Sequence, residues 1–138
     1  MDAAEKKYIE IIGLDFKNLK AFKELGRIYF ARKEFEEAKQ TFEHLLKLKE
    51  DDEDANAQTH FNLAQVYQAM GKWPEAVKSL KKKALKIEPA NPKYLDTMLV
   101  ISIIIKDKAL ALDVYGKLVK ANPDNHKLED FKKQIDEM

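Results

Sequence analysis

Residues 63–76 read Leu63-Ala64-Gln65-Val66-Tyr67-Gln68-Ala69-Met70-Gly71-Lys72-Trp73-Pro74-Glu75-Ala76, and the same frame occurs 38 residues earlier. There Leu25-Gly26-x-x-Tyr29 stands for Leu63-Ala64-x-x-Tyr67, and Lys33-Glu34-Phe35-Glu36-Glu37-Ala38 for Gly71-Lys72-Trp73-Pro74-Glu75-Ala76. Four residues after each closing alanine comes a large apolar side chain, Phe42 or Leu80. The second copy ends in Ala84-Leu85-Lys86-Ile87-Glu88-Pro89. Large residues at helical spacing with a turn signal in the middle describe two helices joined by a short turn. Recurrence of such a unit at a fixed offset predicts a solenoid, in which each pair buries its apolar face against the next.

A third copy, less regular, carries Leu95, Met98, Ala111-x3-Tyr115, Leu118 and Pro123, with Leu99 and Ser102 where a small residue and a tyrosine are expected. Ala4-x3-Tyr8-x2-Ile11 repeats the second-helix pattern 34 residues before Ala38, with Phe16 in the place of the closing proline. At the far end Leu128, Phe131 and Ile135, separated by lysines, describe a solvating cap helix. These residues resemble the tetratricopeptide repeat, whose 34-residue helix-turn-helix follows W-x2-L-G-x2-Y, then A-x3-F, then P. The resemblance implies an all-α fold, an α-solenoid of three full repeats between a leading half repeat and the cap. The expected division is 1–18 half repeat, 19–55, 56–91 and 92–124 repeats, and 125–138 cap. The expected helices are 2–15, 19–32, 35–49, 56–70, 74–87, 92–105, 108–120 and 125–136. The leading half repeat, with its apolar stripe, is expected to serve a larger assembly or a longer parent chain.

Two departures from the period carry information. About four residues are inserted within Lys49–Asn56, including the acidic run Glu50-Asp51-Asp52-Glu53-Asp54, read as a solvated loop. Ala76 and Ala84 stand eight residues apart, whereas Ala38–Leu45 and Ala111–Leu118 span seven. The extra residue, within Lys81-Lys82-Lys83, predicts a π-bulge. Asn18 and Asn91 are expected N-caps, Pro92 and Pro74 first helical residues, and Gly71 the turn before Trp73.

Composition narrows function. The 138 residues hold 25 Lys+Arg and 24 Asp+Glu, for a formal charge of +1, and only Arg27 and Arg32 are arginine. This is a poor footprint for nucleic acid, which wants a basic field and bidentate guanidinium groups. The longest apolar run, Met98 to Ile105, is too short to span a bilayer and is broken by Ser102. The N-terminus lacks a hydrophobic signal core, so the expected location is cytoplasmic. No cysteine is present, which excludes thiolate chemistry and disulfides. Ser79, Ser102, His44, His60 and His126 form no nucleophile or metal frame, and the acidic run lacks the glycine and closing glutamate of a calcium loop. A non-catalytic chain without cofactor or metal is expected. Tyr29, Tyr67, Phe42, Trp73 and Tyr115 are read as packing residues.

The resemblance also implies a binding surface, because first helices of successive repeats in this family line a concave groove that takes proteins or peptides. By repeat register the first helix offers Lys20, Lys23, Glu24, Arg27 and Phe30. The second offers Gln58, Phe61, Asn62, Gln65 and Gln68, and the third Lys93, Asp96, Thr97, Val100, Ile103 and Ile104. The strongest candidates are Lys20, Lys23, Arg27, Phe30, Phe61, Asn62, Gln65, Lys93, Thr97 and Val100. They suit an acidic segment with an apolar anchor. Co-chaperones of the family clamp a C-terminal carboxylate; Lys23, Asn62 and Lys93 match that clamp, while Arg27 replaces an asparagine and Thr97 a basic residue. The alternative of another class is an oligomerising scaffold, self-associating through the half repeat and the apolar helix 92–105.

Overall fold

The computed structural model describes residues 2–15, 18–48 and 52–138. Phe16 and the insertion residues Lys49, Glu50 and Asp51 lie outside them. The described residues form eight helices and no strand: α1 (Ala3–Leu14), α2 (Leu19–Ala31), α3 (Phe35–Lys47), α4 (Glu53–Ala69), α5, α6 (Pro92–Ile104), α7 (Lys108–Ala121) and α8 (Leu128–Asp136). Helix α5 runs from Trp73–Ser79 through a π-helical turn, Leu80–Ala84, into a last α turn, Leu85–Ile87. Each helix packs on the next, so the pairs α2/α3, α4/α5 and α6/α7 stack in chain order. The chain is an α-solenoid.

Local chemistry sets most of the boundaries. Asn18 Oδ1 accepts the Ala21 N–H at 2.9 Å, and Asn91 Oδ1 accepts those of Lys93 and Tyr94 at 3.0 and 3.4 Å. Pro92 opens α6, whereas Pro74 is the second residue of α5, behind Trp73. Gly71 makes the turn inside the second pair with φ +73°; Lys33 and Lys106 hold the same left-handed conformation in the other two turns. The acidic insertion departs from its reading as a loop. Asp52 accepts the N–H groups of Asp54 and Ala55, and Glu53 and Asp54 form the first turn of α4. Helix α4 therefore starts three residues before 56, because carboxylates at a helix N-terminus satisfy its free donors and oppose its dipole.

The core has two parts. Phe22, Ala38, Phe42, Leu45, Leu63 and Val66 fill the first; the second runs from Phe61 through Tyr94, Met98, Leu99 and Leu118 to Phe131 and Ile135 of the cap. Tyr67 packs against both and donates to Glu43 Oε1 at 3.3 Å. Gly26 is the point of closest approach: a Cβ there would stand 2.6 Å from the Phe42 ring.

Helix α1 corrects the expected register. Ala4 is exposed, and Glu5 takes the inward position. Its carboxylate accepts a hydrogen bond from Arg32, the residue that caps the C-terminus of α2, which also pairs with Glu34 at 3.0 Å and Asp2 at 3.6 Å. A buried carboxylate holds there only because a guanidinium meets it. Burial, together with that carboxylate, pushes the Tyr29 phenol above its ordinary value.

The extra residue of α5 is absorbed as a π turn, with Leu85 N–H bonding to Leu80 C=O. Leu80 and Ala84 both stay fully buried, so the wider turn returns the chain to register before Ala84. Deleting Lys82 is expected to leave a regular α-helix and an intact core. Deleting Gln40 from the regular helix α3 would rotate Phe42 and Leu45 off the core by about 100°. Urea unfolding of the two deletions checks this: the Lys82 deletion should lose less than ~1 kcal/mol, the Gln40 deletion most of the stability.

Candidate protein-binding groove

Helices α2, α4 and α6, the first of each pair, carry the sequence-predicted site residues. Only part of that set converges. Where α4 meets α6, Phe61 and Tyr94 stack with ring centroids 4.9 Å apart, and Lys93 Nζ stands 4.8 Å above the Phe61 ring. Phe61 is 2% exposed, so it forms the floor of the groove rather than a projecting contact. Around it opens a cavity of about 330 Å³ lined by Gln65, Pro92, Lys93, Asp96 and Thr97, closed at the far side by Asn122, Asn125 and Lys127. Lys127 Nζ lies 3.6 Å from Asp96 Oδ2. The recess thus has an aromatic floor, amide and hydroxyl walls, and two ammonium groups at its mouth.

The remaining candidates lie elsewhere. Lys20 is exposed and Lys23 half-buried on α2. Arg27 donates to Glu24 at 2.9 Å, which neutralises part of the cationic surface read there. Phe30 is partly buried against Phe35, ring centroids 5.6 Å apart, and Val100 packs on the second core. Asn62 is half-buried on α4, outside the residues lining the cavity. Asn122, Asn125 and Lys127 were not among the expected site residues. They belong to the turn before the cap, and nothing in a helical repeat pattern says that this turn folds back over the groove.

His44 and His60 make their contacts outside the residues that line the groove cavity. The His44 ring packs tilted against Phe22, centroids 4.7 Å apart. His60 faces Glu75, Lys78, Ser79 and Lys83 of α5, and burial, then Lys83, lower its pKa below the ordinary 6.5. A base that protonates less readily folded than unfolded withdraws stability as the pH falls through about 6.5 toward the folded value, and leaves it unaffected above. Thermal melts of His60→Gln beside the parent are expected to converge at pH 8 and to favour the variant, relatively, at pH 5.5. No group of three or more acidic or histidine side chains converges on a metal-sized site among the described residues. No described helix is long and apolar enough to cross a membrane.

Paired antiparallel helices stacked in register, with a groove along their first members, define a helical-repeat solenoid. The tetratricopeptide repeat profile matches residues 18–87, and the chain belongs to that family. No curated protein matches the sequence. Among solved structures, similar folds are a chain of the APC/C hetero-tetramer Cut9–Hcn1, with TM-score 0.83 and 18% identity over 94% of this chain and 25% of that one, and a tetratricopeptide repeat protein from Parabacteroides merdae, with TM-score 0.84 and 15% identity over 96% and 51%. The present chain therefore spans a quarter and about half of those two. The first tetratricopeptide domain of Spaghetti (RPAP3), a structure bound to an HSP90 peptide SRMEEVD, matches with TM-score 0.75 and 18% identity over 89% of this chain and 94% of that one. At these identities the likeness is one of fold. The family and its fold are typically those of non-catalytic interaction modules.

Proposed function

We propose that this protein is a non-catalytic, cytoplasmic interaction module that holds a segment of a partner protein in the groove of α2, α4 and α6. The carrying observation is the recess over Phe61, where Lys93, Gln65, Thr97, Asn122, Asn125 and Lys127 surround an aromatic floor. Two ammonium groups, Lys93 and Lys127, stand against the single carboxylate of Asp96, so the recess is net cationic and an acidic segment with one apolar side chain is the fitting ligand. Lys20 and Lys23 add positive charge along α2, where Arg27 is paired with Glu24. A terminal carboxylate clamp fits less well than an internal acidic segment, because Thr97 brings no charge and Arg27 is already paired with Glu24.

Calorimetry with SRMEEVD, as free acid and as C-terminal amide, tests the reading against a variant carrying Lys93→Ala and Lys127→Ala. Binding of both forms, weakened by about tenfold or more in the variant, is expected. Binding of the free acid alone would make the groove a carboxylate clamp. Equal binding by the variant would remove the recess from the site.

A scaffold reading has its own observation: Leu14 is 92% exposed and Ile9 39% on α1, an apolar edge that a second copy would cover. Light scattering decides it, since a mass independent of concentration and unchanged by Ile9→Ser/Leu14→Ser sinks self-association through α1.

A further inference from the structure

On the outer layer, away from the groove, α5 and α7 do not close completely over the α6–α7 turn. A recess of about 720 Å³ opens there, more than twice the volume of the groove cavity. Its walls are apolar: Trp73 and Val77 from α5, Ile105 from the turn and Leu110 from α7. Three of these are only partly buried and Ile105 is 37% exposed, so the molecule leaves unfilled apolar surface at this place. Along the rim stand Lys78, Lys81 and Lys82, all exposed and without an ion-pair partner among the described residues. The opposing charge is Asp107, whose carboxylate is occupied in capping α7 through the Leu110 N–H at 3.1 Å.

The π turn belongs to the same place. Its extra residue changes nothing inside, since Leu80 and Ala84 stay fully buried. Its consequence is outside: one more lysine on the exposed side of α5. A wider turn that the core does not need, beside an apolar recess, is the setting in which π turns commonly serve a site. Lysine stems extend the apolar wall while their ammonium groups remain in water, ready for carboxylates.

We propose that this recess is a second docking site, taking an acidic segment of a partner protein that inserts one bulky apolar side chain beside Trp73. The charge on the rim selects the acidic flanks, and the concave apolar floor selects the anchor. A membrane surface, being flat, would touch the lysines and leave the recess empty. The site is independent of the groove, so the protein can hold two segments at once.

Trp73 is the single tryptophan of the chain, and its emission reports the site directly. The probes are hexapeptides without Trp or Tyr, with Glu and Asp flanking every pairing of Phe, Leu, Ile and Met. A matched set has Gln and Asn flanks, and vesicles of phosphatidylcholine with phosphatidylserine form the third arm. Saturable shifts with at least one acidic peptide are expected, at dissociation constants near ~10–100 μM. Binding should weaken about tenfold or more in Lys78→Gln/Lys81→Gln/Lys82→Gln, whose substitutions are all on the exposed rim and whose fold circular dichroism verifies. It should be unchanged in Lys93→Ala/Lys127→Ala, which disables only the groove. Silence of Trp73 toward the whole acidic set up to ~1 mM overturns the proposal. So does equal binding of the Gln/Asn set, indifference to the rim lysines, loss of the response in the groove variant, or a response to vesicles alone.

Discussion

Phe42→Ala is expected to lower the unfolding free energy by about 3–5 kcal/mol. The ring is 1% exposed at the centre of the first core, and its edge lies over Gly26, where α2 and α3 come closest. Removing it loses the apolar transfer energy and leaves a cavity that two helices joined by a short turn cannot collapse to fill. Against a total of about 5–15 kcal/mol for a domain, this is a large share. Urea denaturation followed by circular dichroism measures it, and a loss below ~1 kcal/mol would show that α2 and α3 close the gap. The reciprocal change, Gly26→Ala, fails for the opposite reason. Its Cβ would meet the ring at 2.6 Å, and the ring is itself packed on every side, so the helices must part.

Leu99→Ala is the second large effect, expected at about 2–5 kcal/mol. In repeat register Leu99 holds the place of Gly26, yet it is fully buried, while Tyr115, in the place of Phe42, is only partly so. The third pair thus obtains its bulk from the first helix, whereas the first pair obtains it from the second helix. That exchange predicts non-additivity. Tyr115→Phe alone should change little, but combined with Leu99→Ala it should recover about 1 kcal/mol, because a ring without its hydroxyl can turn inward into the hole. A double-mutant cycle by urea unfolding reads the coupling, and strictly additive losses would mean that Tyr115 and Leu99 do not share one space.

The same pair explains why the third repeat was the weakest in the sequence. Leu99 and Ser102 break the small-then-tyrosine pattern, and the compensation for Leu99 involves Tyr115 on another helix. Ser102 resolves its buried hydroxyl locally, donating to Leu99 C=O at 2.7 Å. The apolar run around it is mostly core: Tyr94, Leu95, Met98, Leu99 and Ile101 are buried, and exposure begins only at Ile104 and Ile105.

Legibility of the groove divides in the same way. Repeat register put Phe61, Gln65, Lys93 and Thr97 on one surface, and these four line the recess. It could not tell that Phe61 would be the floor, that Arg27 would be paired with Glu24, or that the turn carrying Asn122, Asn125 and Lys127 would wall the far side.

What the amino-acid sequence determined by itself is whatever depends on neighbours within one or two helices. The 3.6-residue period, the Asn18 and Asn91 caps, the Gly71 turn and the surplus residue of α5 are all local, and a solenoid is built by repeating local contacts. Tertiary structure alone decided the rest: the burial of Glu5, which rests on Arg32 twenty-seven residues away; the size exchange at Leu99; and both recesses, one walled by three separate segments and the other by two. Such features depend on shape and charge meeting across distant segments, and periodicity carries no information about either.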